Sequence, residues 1–193
     1  AQDLLLKLVT DTYEQQREAI VLSYDRQIED IKKKLDTEKN LTVNARTAMA
    51  SQVKSLEELK ARDLEKIDNE HMEKQINSEN ERIKNILTTV RKGSEQEYTI
   101  KYQQIENEQK LAEIAATKEY TDETERGEQI TAIRAAYQQK IKQLTDDYYN
   151  AQTEALKQHF ETQILAAHDN ELEQLRLKFE EKKALYDEAQ QNE

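Results

Sequence analysis

The sequence predicts an all-α fold, an elongated antiparallel coiled coil, on three observations. Its 193 residues contain no proline and only two glycines, Gly93 and Gly127, so the two residue types that most strongly interrupt helices are almost excluded. Apolar residues make up 36% of the chain and charged residues another 36%, an apolar share below the roughly 45–50% of an ordinary domain, so each helix can bury only a narrow stripe. Those apolar residues recur at steps of three and four, the spacing of one helix face. Narrow stripes are best buried helix against helix.

The first helix is expected over about residues 3–39, with Val9, Tyr13, Ile20, Tyr24, Ile28, Ile31 and Leu35 on one face. The stripe then lapses at Asn40-Leu41-Thr42-Val43-Asn44, where Asn and Thr side chains can cap a helix end, and a turn is expected near 40–42. A second helix follows over about 43–119, carried by Met49, Val53, Leu56, Leu64, Ile67, Ile76, Ile83, Leu87 and Val90, with a weak place at His71 and Met72. The next lapse runs from Tyr120 to Gly127. Asp122 with Glu125 three residues later has capping-box spacing, and acidic residues suit a helix N-terminus, so a turn is expected near 120–127. The third helix, about 123–191, carries Ile130, Ile133, Tyr137, Ile141, Leu144, Tyr148, Ile164, Ala167, Leu172, Leu175, Phe179 and Tyr186. Several groupings of four, four and three imply straight or weakly right-handed winding.

Gly93 is the difficult position. Arg91-Lys92-Gly93-Ser94-Glu95-Gln96-Glu97 combines basic residues, a C-cap-like glycine and a Ser-x-x-Glu box, locally the best helix stop in the chain. Yet the stripe continues through it in phase, and the helix lengths that follow from turns near 41 and 121 favour a through-helix with Gly93 as a candidate break. A zigzag turning at Gly93 matches helix lengths badly. The expected arrangement is thus a single elongated segment over residues 1–193. It has a three-helix bundle at one end, along residues 43–80, and a long two-helix arm over about 81–160, about 115 Å in length at 1.5 Å per residue. Lys39-x-x-Thr42 followed by Arg46 and Val53 recurs as Lys118-x-x-Thr121 followed by Arg126 and Ile133. That recurrence implies two tandem helix–turn–helix units offset by about 80 residues.

Composition also bounds partners. A formal net charge of −11 argues against nucleic acid, whose phosphates require clustered Lys and Arg, and no basic amphipathic helix of the membrane-surface kind is present. The one basic run, Lys32-Lys33-Lys34, follows Glu29 and Asp30 and reads as a solvated face. No apolar run approaches the ~18–20 residues of a membrane span. With no cysteine there is no disulfide framework. The chain begins at Ala1, and the lack of a targeting feature favours a segment of a longer protein.

No constellation carries chemistry. The residues three before His71, His159 and His168 are Asp68, Leu156 and Leu165, so the paired Glu-x-x-His motif of di-iron bundles is absent. Paired carboxylates such as Glu57-Glu58 and Asp146-Asp147 are too common here to be informative, and a thin bundle offers no water-poor pocket to shift a pKa. The expectation is therefore no enzyme activity, no catalytic, cofactor-binding or metal-binding residue, no cofactor and no small-molecule substrate. The tyrosines Tyr98, Tyr102, Tyr137, Tyr148 and Tyr149 read as core residues with their hydroxyls at the edge. By pairing arithmetic Tyr98 and Tyr102 face about residues 143 and 139. Tyr149 becomes a candidate partner contact if it points away from Tyr148.

The turns around Thr42 and Thr121, the phrases Gln129-Ile130-Thr131-Ala132-Ile133-Arg134-Ala135-Ala136-Tyr137 and Glu173-Gln174-Leu175-Arg176-Leu177-Lys178-Phe179-Glu180, and the Glu/Gln/Lys/Asn bias resemble the helical repeats of phage and prophage tail tape-measure proteins. The resemblance implies a structural segment whose helical extent sets tail length, located in the virion tail, or in the bacterial cytoplasm during assembly. It carries over no catalytic residue and no cofactor. A ruler is extended, so folded-back turns would describe the protein outside the tail tube. The alternative is a helical-arm binding module, a chaperone-like clamp or adhesin-like stalk. In either reading the partners are other proteins, or self-association through helical seams, with no nucleic acid and no membrane.

Overall fold

The computed structural model describes residues 12–167 and 170–191, so Val9 and His168 lie outside the described residues. Among the described residues five α-helices follow one another: α1 (Thr12–Thr37), α2 (Val43–Leu87), α3 (Glu95–Glu119), α4 (Glu123–Ala166) and α5 (Glu171–Gln191). No strand occurs among the described residues. The fold is all-α, with consecutive helices packed antiparallel. Its contacts gather into two compact units, residues 1–78 and 79–193.

In the first unit α1 runs back along α2. Tyr13 and Tyr24 donate hydrogen bonds to Asp68 and Asp63 at 2.8 and 2.7 Å, and Lys60 and Lys32 pair with Asp25 and Glu57 at 2.6 and 3.6 Å. As the residue number falls on one helix it rises on the other, which defines an antiparallel hairpin. Its turn is closed where the sequence places it. The Thr42 hydroxyl accepts the Ala45 backbone N–H, and the Arg46 guanidinium donates to the carbonyls of Leu35 and Glu38 at 3.2 Å each. Thr42 thereby caps the start of α2 and Arg46 satisfies carbonyls at the end of α1. The expected stripe faces inward, with Ile28, Val53 and Ile76 buried.

The second unit contains three further antiparallel packings. Asn107 of α3 donates to Asn80 at 3.0 Å, so α3 doubles back on the end of α2. Arg134 and Lys140 of α4 pair with Glu113 and Glu108 of α3 at 2.9 and 3.5 Å. Thr153 of α4 donates to Glu188 of α5 at 3.3 Å. Ile83, only 2% exposed, is the most deeply buried large side chain among the described residues.

Two helix expectations are corrected. The helix expected over 43–119 is interrupted at 88–94, so Gly93 is a turn and the zigzag path is the one taken. Gly93 has φ +74°, the left-handed region that ends helices and that glycine enters without steric penalty. Beyond it the Ser94 hydroxyl accepts the Glu97 N–H, and the Glu97 carboxylate accepts the Gly93 N–H, so two N–H groups at the start of α3 are satisfied. The helix expected over 123–191 is likewise two helices, α4 and α5. Asn170 accepts the Glu173 N–H at 3.1 Å and starts α5, which returns along α4. The three-helix bundle rested on an unbroken 123–191 helix lying beside residues 43–80, and with that helix divided it loses its basis.

The internal repetition extends further than the two turns. A 45-residue and a 25-residue helix are followed by a 44-residue and a 21-residue helix. The α2–α3 and α4–α5 hairpins, located by Asn80–Asn107 and Thr153–Glu188, pivot about 77 residues apart.

The two glycines separate backbone strain from helix propensity. A Cβ added at either would meet no atom within 4 Å. Gly93→Ala is expected to destabilise the chain by about 1–2 kcal/mol, the cost of a left-handed L-residue. Gly127→Ala, inside α4, is expected to stabilise it by about 0.5–1 kcal/mol. Urea unfolding followed by circular dichroism reads both signs.

Candidate functional site

The side-chain clusters of this chain sit on helix seams. In the first unit, one carboxylate oxygen of Asp68 accepts from both Tyr13 and Arg17, at 2.8 and 3.1 Å, while the Tyr13 ring stacks on His71 with centroids 3.9 Å apart. These bonds occupy that oxygen of Asp68, the carboxylate of the one histidine half-motif in the sequence. The hydrogen bond to Asp68 holds the Tyr13 phenol above its ordinary pKa, and the bond to Asp63 does the same for Tyr24. An open groove beside this seam is lined by Ala19, Ile20, Tyr24, Leu56, Leu59 and Asp63. The Asp63 carboxylate in it is engaged by the Tyr24 hydroxyl.

In the second unit the tyrosines gather where α3 and α4 cross. Tyr98 stacks on Tyr148 at 4.7 Å and shares a hydrogen bond with Thr145 at 3.1 Å. Tyr98 thus meets α4 a few residues beyond the position that pairing arithmetic assigns. Tyr102 lies tilted against Tyr98, and Tyr149 meets Tyr148 edge-on at 5.4 Å. Tyr149 is half-buried and does not stand clear of its neighbour as a partner contact would. The Lys140 ammonium sits 4.1 Å over the Tyr137 ring, a cation–π contact that also covers the seam.

Arg134 grips Glu113 with two parallel bonds of 3.0 and 2.9 Å, the fork geometry that makes Arg–carboxylate pairs specific. That hydrogen-bonded guanidinium, helped by Gln109, holds the Glu113 carboxyl below its ordinary pKa against the opposing effect of burial. Of the other residues singled out by sequence, His159 contacts Gln163 within its own helix, Lys32 pairs with Glu57, and Glu58 pairs with Lys54. Among the described residues, no three His, Cys, Asp or Glu side chains stand together to hold a metal ion, and no helix is long and apolar enough to cross a membrane.

One feature escapes the sequence reading. Leu172, Leu175, Phe179 and Tyr186, assigned to the core stripe, are 80, 65, 71 and 64% exposed, whereas Leu177 is buried. The physical reason is that α4 ends at Ala166 and α5 begins at Glu171 with a different face toward α4. Asn170-x-x-Glu173, a capping spacing just before the run of Leu172, Leu175 and Leu177, is the signal that locates this break.

These residues define a class of protein, a series of α-helical hairpins whose polar side chains pair both within single helices and across the seams. No protein-family model, curated protein or solved structure matches the chain.

The Arg134–Glu113 fork has a definite pH signature. Because the folded-state pKa of Glu113 is depressed, its contribution is present above the unfolded-state value of about 4.3 and is lost as pH falls through the lower folded value. Arg134→Gln is therefore expected to lower the denaturation midpoint more at about pH 7 than at about pH 3. An equal effect at both would contradict the assignment.

Proposed function

We propose that this chain is a non-enzymatic structural segment, a helical scaffold whose extent comes from repeating a long-helix and short-helix unit. The observation that carries this reading is the recurrence itself: α2 with α3, then α4 with α5, about 77 residues on. Repetition of one supersecondary unit adds length in fixed increments, which is what a spacer or ruler requires. The aromatic and charged clusters agree with this reading, since Tyr98, Tyr148, Arg134 and Glu113 each make an interaction with the neighbouring helix.

The resemblance to tail tape-measure repeats supplies the finer form of the proposal, a length-determining part of a phage or prophage tail. Its partners are then other proteins or further copies of itself. The second reading is a helical-arm module that clamps or extends toward a protein partner, with the α3–α4 hairpin as its arm. The tip of that hairpin, Thr121-Asp122-Glu123-Thr124-Glu125, offers no aromatic or apolar anchor of the kind that concentrates binding energy, and the scaffold reading is preferred.

Duplicating residues 43–119 in the phage or prophage that encodes the chain tests the finer form. Electron microscopy of the particles is expected to show tails lengthened by about 115 Å, the rise of 77 added residues when the hairpins open into the extended helical form that a ruler takes inside the tail tube. Particles with tails of unchanged length would contradict a ruler role.

A further inference from the structure

One step of about 77 residues relates the long helices α2 and α4, and it carries Asp68 and His71 onto Thr145 and Tyr148. Each of these two pairs receives a tyrosine from the short helix before it. Tyr13 of α1 donates to Asp68 and stacks on His71, and Tyr98 of α3 bonds Thr145 and stacks on Tyr148. The repeating contact is thus a short helix seated on the long helix that follows it, with a tyrosine at the same place in each seam.

Helix α5 is a third short helix. The same step carries Tyr98, Ile100 and Tyr102 of α3 onto Leu175, Leu177 and Phe179. Ile100 and Leu177 are both buried, but Leu175 and Phe179 are exposed, together with Leu172 and Tyr186. Helix α3 is covered on two sides, by α2 through Asn107 and by α4 through Tyr98. Among the described residues α5 is covered on one, where Glu188 meets Thr153 of α4, the counterpart of the α2 side of α3. The face left open is the one on which the repeat places a following long helix.

Charge distinguishes the occupant of this face from α4. On α3 the seam is edged by Glu108 and Glu113, which meet Lys140 and Arg134 of α4. On α5 those positions are Leu185 and Gln190, and Lys182 and Lys183, three and four residues after Phe179, share its face. Neither lysine forms an ion pair among the described residues. A second copy folded in the same way supplies no free long helix, because its α2 and α4 already lie along α1 and α3. We propose that the open face of α5 seats an antiparallel amphipathic helix of a protein partner, apolar at steps of three and four like α4 and acidic where α4 carries Lys140. When the α3–α4 register is advanced by one step, that position falls beside Lys182 and Lys183. The apolar strip holds the partner helix, and the lysines select it against a helix charged like α4.

The inference rests on the repeat that also carries the scaffold reading. A peptide of residues 120–150 with Lys140→Glu, stapled on its outward side to hold it helical, is titrated into the full chain at about 1–500 µM and followed by fluorescence anisotropy. Binding is expected with a dissociation constant on the order of tens of micromolar, at least about threefold tighter than that of the stapled peptide without the substitution. Phe179→Glu in the chain is expected to weaken it at least about tenfold. The Phe179 side chain is exposed, so this variant keeps its fold, and unchanged circular dichroism checks that. No binding, binding indifferent to Phe179→Glu, or tighter binding of the unsubstituted peptide, as Glu108 of α3 would favour, would each overturn the proposal. So would a chain that dimerises alone in sedimentation equilibrium and loses the dimer with Phe179→Glu, which would assign the face to a second copy. Lengthened tails beside a peptide that does not bind would overturn the docking and leave the scaffold reading intact.

Discussion

The narrowness of the apolar stripe governs this molecule. With 36% of its residues charged, no helix can present a broad hydrophobic face, so each meets its neighbour along a single seam and leaves the rest in water. Among the described residues the buried apolar set is small, Ile28, Val53, Ile76, Ile83, Ile100, Ile114, Ala116 and Leu177, and no polar residue is buried with it. Stripe residues of α4 such as Ile130, Ile133, Tyr137, Ile141 and Leu144 are only half-buried. The edges of each seam are closed by polar groups, Arg134 with Glu113, Lys140 with Glu108 and Tyr24 with Asp63. Such partly exposed pairs contribute modestly to stability, and their value lies in holding register between helices whose apolar contacts alone are sparse.

Since stripes are narrow, where the chain turns is decided mainly by local chemistry at helix ends. Thr42, Ser94, Asp122 and Asn170 each offer a side-chain oxygen to a backbone N–H two or three residues on. Each satisfies a donor that a helix start would otherwise leave without an intrahelical partner. At 88–94 the end of α2 is finished as well. The Thr88 and Thr89 hydroxyls donate to the carbonyls of Asn85 and Ile86, and Gln152 of α4 donates to the Gly93 carbonyl. Four capped starts divide a chain with almost no helix breakers into the five helices of the described residues.

The all-α class and the turns at Thr42 and Asp122 are legible in the sequence because two signals coincide there, a capping residue and a lapse in the stripe. At Gly93 the signals diverge. The stripe runs on in phase through Ile83, Leu87, Val90 and Tyr98, and periodicity alone cannot distinguish a helix that continues from one that stops and returns with its apolar face in step. The positive φ of Gly93 and the bonds of Ser94 and Glu97 decide the matter, and these are local interactions that the sequence does display. The break before Asn170 has no glycine or proline to announce it. Because α5 has apolar residues on both sides, its pattern could not tell Leu177 from Leu175 as the one turned inward. The clusters are half legible: tyrosines near an α3–α4 crossing follow from spacing, whereas the stacking of Tyr13 on His71 depends on a hairpin register that no pattern fixes to the residue.

The hairpin series requires the chain to reverse at Gly93. Asn80 and Asn107 are in hydrogen-bond contact across that turn, whereas in one continuous helix 27 intervening steps would hold them about 40 Å apart. In a chain that has no cysteine of its own, Asn80→Cys together with Asn107→Cys makes this a direct measurement. A rapid intramolecular crosslink at high dilution, by disulfide or a short bismaleimide, is the predicted result. Failure to crosslink, with full helical circular dichroism retained, would mean that the helix passes through Gly93 and that the hairpin series is wrong.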